Sequence, residues 1–126
     1  MSFSKEYLAF VLDQFEPLGR IEQKRLFGGM GFYSSDLFFG FIDDDVLFFK
    51  VDDQTRARYE SAGSRGFDPY GDGRTSSGYY SVPVTVVEDR DELRVWALEA
   101  IEASRRKKGT KKKSPKKSAG SSKKKR

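Results

Sequence analysis

The densest chemistry in this sequence is positive charge. Arg105, Arg106, Lys107, Lys108, Lys111, Lys112, Lys113, Lys116, Lys117, Lys123, Lys124, Lys125 and Arg126 place 13 basic residues between positions 105 and 126, with no acidic residue among them. The other 11 basic residues share positions 1–104 with all 19 acidic ones, a net charge of −8. An acidic body joined to a basic segment is an asymmetry suited to polyanions. Each phosphate neutralised by Lys or Arg frees condensed counterions and adds about 0.9 to the salt slope of binding. The segment holds no aromatic residue, so base stacking and sequence readout are not expected of it. Its competing roles are a solubilising arm, an intramolecular clamp on the acidic body, and contact with anionic lipid.

The remaining chemistry is sparse. The chain has no cysteine and no histidine. That removes disulfides, thiolate metal sites, the Cys nucleophile and the usual general base. Thr75, Ser76 and Ser77 are therefore hydroxyls without a His partner, and no Ser-His-Asp triad can form around them. Gly28-Gly29-Met30-Gly31 is not followed by Lys-Ser/Thr or by a helix start, so it fits neither nucleotide-binding motif; close backbone packing at a bend or bulge is the expectation. Asp43-Asp44-Asp45 reads as a hairpin tip before it reads as a cation site. Tyr79, Tyr80 and Arg74 beside a glycine-rich loop could frame a small pocket, but core anchoring is the better reading. An enzyme using a carboxylate with Tyr and Arg ranks last. No cofactor, metal or small-molecule substrate is expected.

The elements that position these residues follow from periodicity. A helix is expected from about Lys5 to Phe15, capped by Ser4, with Tyr7, Leu8, Val11, Leu12 and Phe15 on one stripe and Pro17-Gly19 ending it. Four strand-like runs follow: Ile21–Phe27, the weakest, then Met30–Tyr33, Leu37–Ile42 and Val46–Val51, joined by the turns Ser34–Asp36 and Asp43–Asp45. Simple alternation puts Leu37, Phe39 and Phe41 on one face and Phe38 with Ile42 on the other. Both faces are then apolar, so the strand is covered twice or offers a partner surface. A short helix capped by Asp52 or Asp53 should run through Ala62 and stop at Gly63. Residues 63–78 carry five glycines and form a loop that Phe67 and Tyr70 pin to the body. Tyr79–Val82 reads as a strand, and Pro83 puts its end at a sheet edge. The last helix starts at Asp89 with Glu92 at capping-box spacing. It presents Leu93, Trp96, Ala97, Ala100 and Ile101, fades near Arg105–Lys108 and stops at Gly109. From there on the composition favours disorder.

In order along the chain, Arg25-Leu26-Phe27-Gly28-Gly29-Met30-Gly31-Phe32-Tyr33, Phe49-Lys50-Val51-Asp52-Asp53, Phe67-Asp68-Pro69-Tyr70, Tyr79-Tyr80-Ser81-Val82-Pro83 and Leu93-Arg94-Val95-Trp96 resemble the TfoX N-terminal domain family over roughly residues 4–104. The resemblance implies an α+β fold: an antiparallel sheet of about five strands with helices on one face, in the order helix, three strands, helix, two strands, helix. Phe27, Gly28, Gly29, Gly31, Tyr80, Pro83 and Trp96 would be its structural motif residues. The founding members are bacterial regulators of competence genes that act with a cyclic-AMP receptor-type activator and carry a second, helical domain, where this chain has its basic segment. The family's isolated domains generally have no assigned reaction. Separately, Ser114-Pro115-Lys116-Lys117 resembles the Ser-Pro-Lys-Lys units of histone-like tails, which favour the A·T-rich minor groove.

The expectation is therefore a domain at 1–104 and a disordered Lys/Arg-rich tail at 105–126. The whole is a non-enzymatic regulatory or adaptor protein of the bacterial cytoplasm or nucleoid. The tail would bind DNA without sequence preference, and the sheet would engage a protein partner or a second copy. No apolar run is long enough for a membrane span, and the N-terminus shows no secretory signal. The rival expectation is a stand-alone protein-interaction domain whose tail only solubilises or touches polyanions or lipid.

Overall fold

The computed structural model describes residues 3–26 and 28–113, with side chains to residue 108. Helix α1 spans Lys5–Gln14, where the Ser4 hydroxyl accepts a 3.0 Å bond from the Tyr7 N–H. A 3-10 turn over Glu16–Leu18 ends at Gly19, whose φ of 85° suits glycine. Strands β1 (Glu22–Leu26), β2 (Gly29–Ser34), β3 (Leu37–Asp43) and β4 (Val46–Lys50) follow as consecutive antiparallel partners, and β5 (Tyr79–Ser81) pairs with β4 in the order β1-β2-β3-β4-β5. The fold is the α+β antiparallel sheet expected. Its strands divide four before and one after helix α2 (Arg56–Ser61), where the resemblance implied three and two. The weakest run, with its polar middle, is an edge strand with Glu22, Gln23, Lys24 and Arg25 exposed, the kind of polar and charged edge that disfavours further strand pairing.

Turn chemistry sets the register. Asp44 and Asp45 both have positive φ, 55° and 57°, the geometry of the tight hairpin turn that matches strand twist. Helix α2 ends in paired bonds from Gly63 N–H to Glu60 O and from Ser64 N–H to Tyr59 O, with Gly63 at φ 81°. Two of the motif glycines are packing requirements. A Cβ at Gly29 would lie 2.1 Å from the Ile42 carbonyl oxygen, and one at Gly31 2.7 Å from Phe38 Cε1. Gly29→Ala is therefore expected to cost about 1–3 kcal/mol, because backbone must move to relieve the contact. Urea denaturation of the variant checks it, and an unchanged midpoint would contradict the close approach.

The facing of β3 differs from simple alternation. Phe32 pairs with Gly40 and Tyr33 with Phe38, so Phe39 is an extra residue without an opposite partner. This bulge shifts the pleat by one. Leu37, Phe39 and Ile42 join the core, while Phe38 and Phe41 stack on each other on the opposite face. The core face gathers Val11 of α1, Phe15, Phe32, Phe39, Phe49, Tyr59 of α2 and Leu93 of the last helix into one cluster. Phe15 is its hub, with ring centroids 5.1, 5.8 and 6.2 Å from those of Phe32, Phe39 and Phe49.

After β5, Pro83 does not simply end the strand. Its carbonyl accepts from the Val86 and Val87 N–H groups and opens a one-turn helix α3 (Val84–Val87). Helix α4 (Arg90–Lys113) begins where the Asp89 carboxylate accepts from the Asp91 and Glu92 N–H groups. It runs past Gly109, the expected stop, to Lys113. One glycine costs a helix only about 1 kcal/mol relative to alanine, and Lys and Arg are good helix formers. Over residues 105–113, where disorder was expected, the chain thus continues α4, a helix of about 36 Å in all. The expected disorder of residues 114–126 lies outside the described residues, as does Phe27.

Candidate functional site: a basic helix end and an aromatic groove

The apolar seam of α4 ends at Ala103 and Ser104, both buried, with Ser104 Oγ 2.8 Å from the Phe38 carbonyl oxygen of β3. The next turn is cationic. Arg106 Nε meets Asp52 Oδ2 at 2.6 Å, Lys108 pairs with Asp36, and Arg105 pairs with Glu102 one turn back. Lys107 is exposed and lines an opening beside Tyr79 together with Lys50 and Lys108. Lys50 is thus a body residue that extends the basic surface. Sequence reading missed it because it lies more than fifty positions from the segment. Lys111, Lys112 and Lys113 continue the same helix in their backbone. Lys116, Lys117, Lys123, Lys124, Lys125 and Arg126, with the Ser-Pro-Lys-Lys unit, lie outside the described residues.

Asp52 ties this helix end to the loop before α2. Its carboxylate accepts from Arg106 and from the Gln54 N–H, while its own N–H donates to the Thr55 hydroxyl. The hydrogen bond from Arg106 holds the Asp52 carboxyl below its ordinary range. The folded pKa therefore lies under the unfolded value near 4; the stabilisation is complete above about pH 5 and fades as pH falls through the folded pKa. With Arg106 about a third exposed, Asp52→Asn is expected to cost under about 1 kcal/mol at pH 7. The gap to wild type should narrow as pH falls through the folded pKa in urea melts run across pH. A gap independent of pH would contradict it.

Of the two alternatives left for the sheet face away from the helices, covered or offered to a partner, the chain takes the first in part: the face is roofed. The loop after α2 returns over it, pinned where Phe67 meets Phe41 and Phe48 edge-on at 4.9 and 5.1 Å. Tyr70 does not pin the loop: it is 76% exposed, held outward on a tip whose Gly71, Asp72 and Gly73 N–H groups all donate to the Asp68 carboxylate. Between roof and sheet remains a groove of about 440 Å³, walled by Leu26, Phe38, Phe41, Phe67, Tyr70 and Tyr79. Burial pushes the Tyr79 phenol up.

The motif residues serve the frame. Trp96 is buried edge-on to Tyr59, with ring centroids 4.7 Å apart, under the Arg58 guanidinium, itself paired with Glu99. Burial pushes the Tyr59 phenol up as well. Tyr80 donates its hydroxyl to Glu60 at 2.8 Å, and Arg74 pairs with Asp72 rather than with Tyr79 or Tyr80. Asp44 and Asp45 form a hairpin turn, and Asp45 accepts from the Ser4 N–H. Among the described residues no helix is long and apolar enough to cross a membrane, and no group of three or more acidic side chains is placed to hold a metal ion.

Comparison with curated proteins found no match. Comparison with protein families found one over residues 13–104, a span that takes in the glycine bend, the roofing loop, the β5–α3 junction and the Trp96 face of α4. The chain belongs to the TfoX N-terminal domain family.

Proposed function

We propose that this protein is a non-enzymatic regulatory module, connected with transcription or competence, whose basic segment attaches it to DNA without sequence choice. Membership of a family that is not one of known enzymes supports the regulatory part. The observation that carries the DNA part is charge segregation: 13 basic and no acidic residues from 105 onward, against a net −8 before it. Arg105, Arg106 and Lys108 have acidic partners in the body or helix, so phosphate contact falls mainly to Lys107 and to the lysines from Lys111 onward. Exposed pairs of this kind contribute under about 1 kcal/mol each and yield readily to a denser array of phosphates. Lys50 widens the basic surface onto the sheet side. The site of action is then the bacterial nucleoid.

A second reading is favoured by the Arg106–Asp52 and Lys108–Asp36 contacts: an interaction domain whose basic segment clamps its own acidic body. Fluorescence anisotropy with a random-sequence duplex separates the two, using the full chain and a variant with Lys111, Lys112, Lys113, Lys116, Lys117, Lys123, Lys124 and Lys125 changed to Gln. The DNA reading requires the variant to lose most of its binding, and equal affinity of both proteins supports the clamp.

A further inference from the structure

The groove under the loop has a chemical preference that no role in the regulatory reading uses. Its walls are ring carbons: Phe38 and Phe41 each contact Tyr79, at 5.8 and 5.4 Å between centroids, and Phe67 closes on Phe41. Its one charged wall residue is Asp43, at the end of β3, which is half-buried and makes no side-chain hydrogen bond or ion pair among the described residues. The rings of this face already draw cations from the chain itself. Lys50 Nζ lies 4.7 Å from the Tyr79 centroid, Lys24 Nζ 5.5 Å from Tyr33, and the Arg74 guanidinium 5.5 Å from Tyr70. Ring quadrupoles attract positive charge in this way, most strongly where water is excluded.

We propose that this groove binds a small organic monocation, an aryl- or alkylammonium whose apolar body lies against Phe38, Phe41 and Tyr79 and whose charge faces Asp43. Charge complementarity selects that occupant. A neutral ligand would strip water from the Asp43 carboxylate and leave it without a partner, and an anion would be repelled. The volume of about 440 Å³ falls in the range of small-molecule sites and exceeds what one lysine side chain fills. Tyr70, standing exposed on a tip braced by Asp68, is the wall residue with most to gain in burial when the groove fills.

The test is amide chemical-shift titration of the full chain with phenyltrimethylammonium and with tert-butylbenzene, its uncharged isostere. Saturable shifts confined to Phe38, Phe41, Asp43, Phe67–Tyr70 and Tyr79 are expected for the cation. Asp43→Asn should weaken its binding at least about fivefold and Tyr70→Ala about threefold. Tyr70 is exposed and Asp43 half-buried, and the same spectra report whether each variant is folded. Three outcomes overturn the proposal: equal affinity for the isostere, wild-type affinity in Asp43→Asn, or no saturation up to about 10 mM cation. Displacement of the cation by an equimolar peptide of residues 109–126 would also overturn it, by assigning the groove to the chain's own lysines.

Discussion

Phe15→Ala is expected to destabilise the domain by about 3–5 kcal/mol, the largest loss from any single truncation in this core. The ring is 2% exposed and touches three other phenylalanines contributed by β2, β3 and β4. It also closes α1, donating its N–H to the Val11 and Leu12 carbonyls. Removing it opens a cavity lined by rings that the bulged β3 and its partners hold in place, so the site cannot collapse cheaply. A domain of this size is stable by about 5–15 kcal/mol, and each kcal/mol shifts Tm by about 4–8 °C. Thermal denaturation should therefore show a fall of at least about 12 °C. Phe10→Ala, five residues earlier and 39% exposed, should stay within about 1 kcal/mol of wild type. If both variants melt together, the ring cluster is not the centre of the core.

Neutralising eight lysines between Lys111 and Lys125 is expected to weaken duplex binding at least about hundredfold at 0.15 M salt. Non-specific complexes have dissociation constants near 10⁻⁴–10⁻⁶ M under such conditions, nearly all of it from counterion release. With the body at net −8, the remaining cations have to hold DNA against repulsion from the globule, which deepens the loss. Glutamine keeps good helix propensity, so α4 should persist to Lys113 and circular dichroism should be unchanged. A modest, few-fold loss of affinity would place the DNA contacts on Lys50, Lys107 and Lys108 instead.

Much of this architecture was legible in the residues. Ser4 and Asp89 cap the helices assigned to them, and the acidic hairpin tip and Gly63 stop fall where turn chemistry put them. What stayed hidden depends on tertiary context. The bulge at Phe39 is invisible to period-two counting, because one extra residue inverts every later side chain. Helix α3 was missed because Val-Thr-Val-Val has strand propensity, and only the Pro83 carbonyl, held beside β4 by the Val82-to-Leu47 bond, starts it. Gln14 sits in the apolar stripe as a buried amide because it finds the Val87 carbonyl across the core, a partner more than seventy residues away. The basic segment was plain from composition; that Arg106 and Lys108 bind back to Asp52 and Asp36 was not, since those carboxylates meet the helix end only in the folded chain.

Attachment to DNA through a phosphate-neutralising segment makes one quantity decisive: the slope of log affinity against log salt for the full chain on a random duplex. Engagement of six or more lysines gives a slope of about −5 or steeper, reduced to near −1 by the eight Lys→Gln changes. A shallow slope shared by both proteins would mean that this charge never meets the polymer.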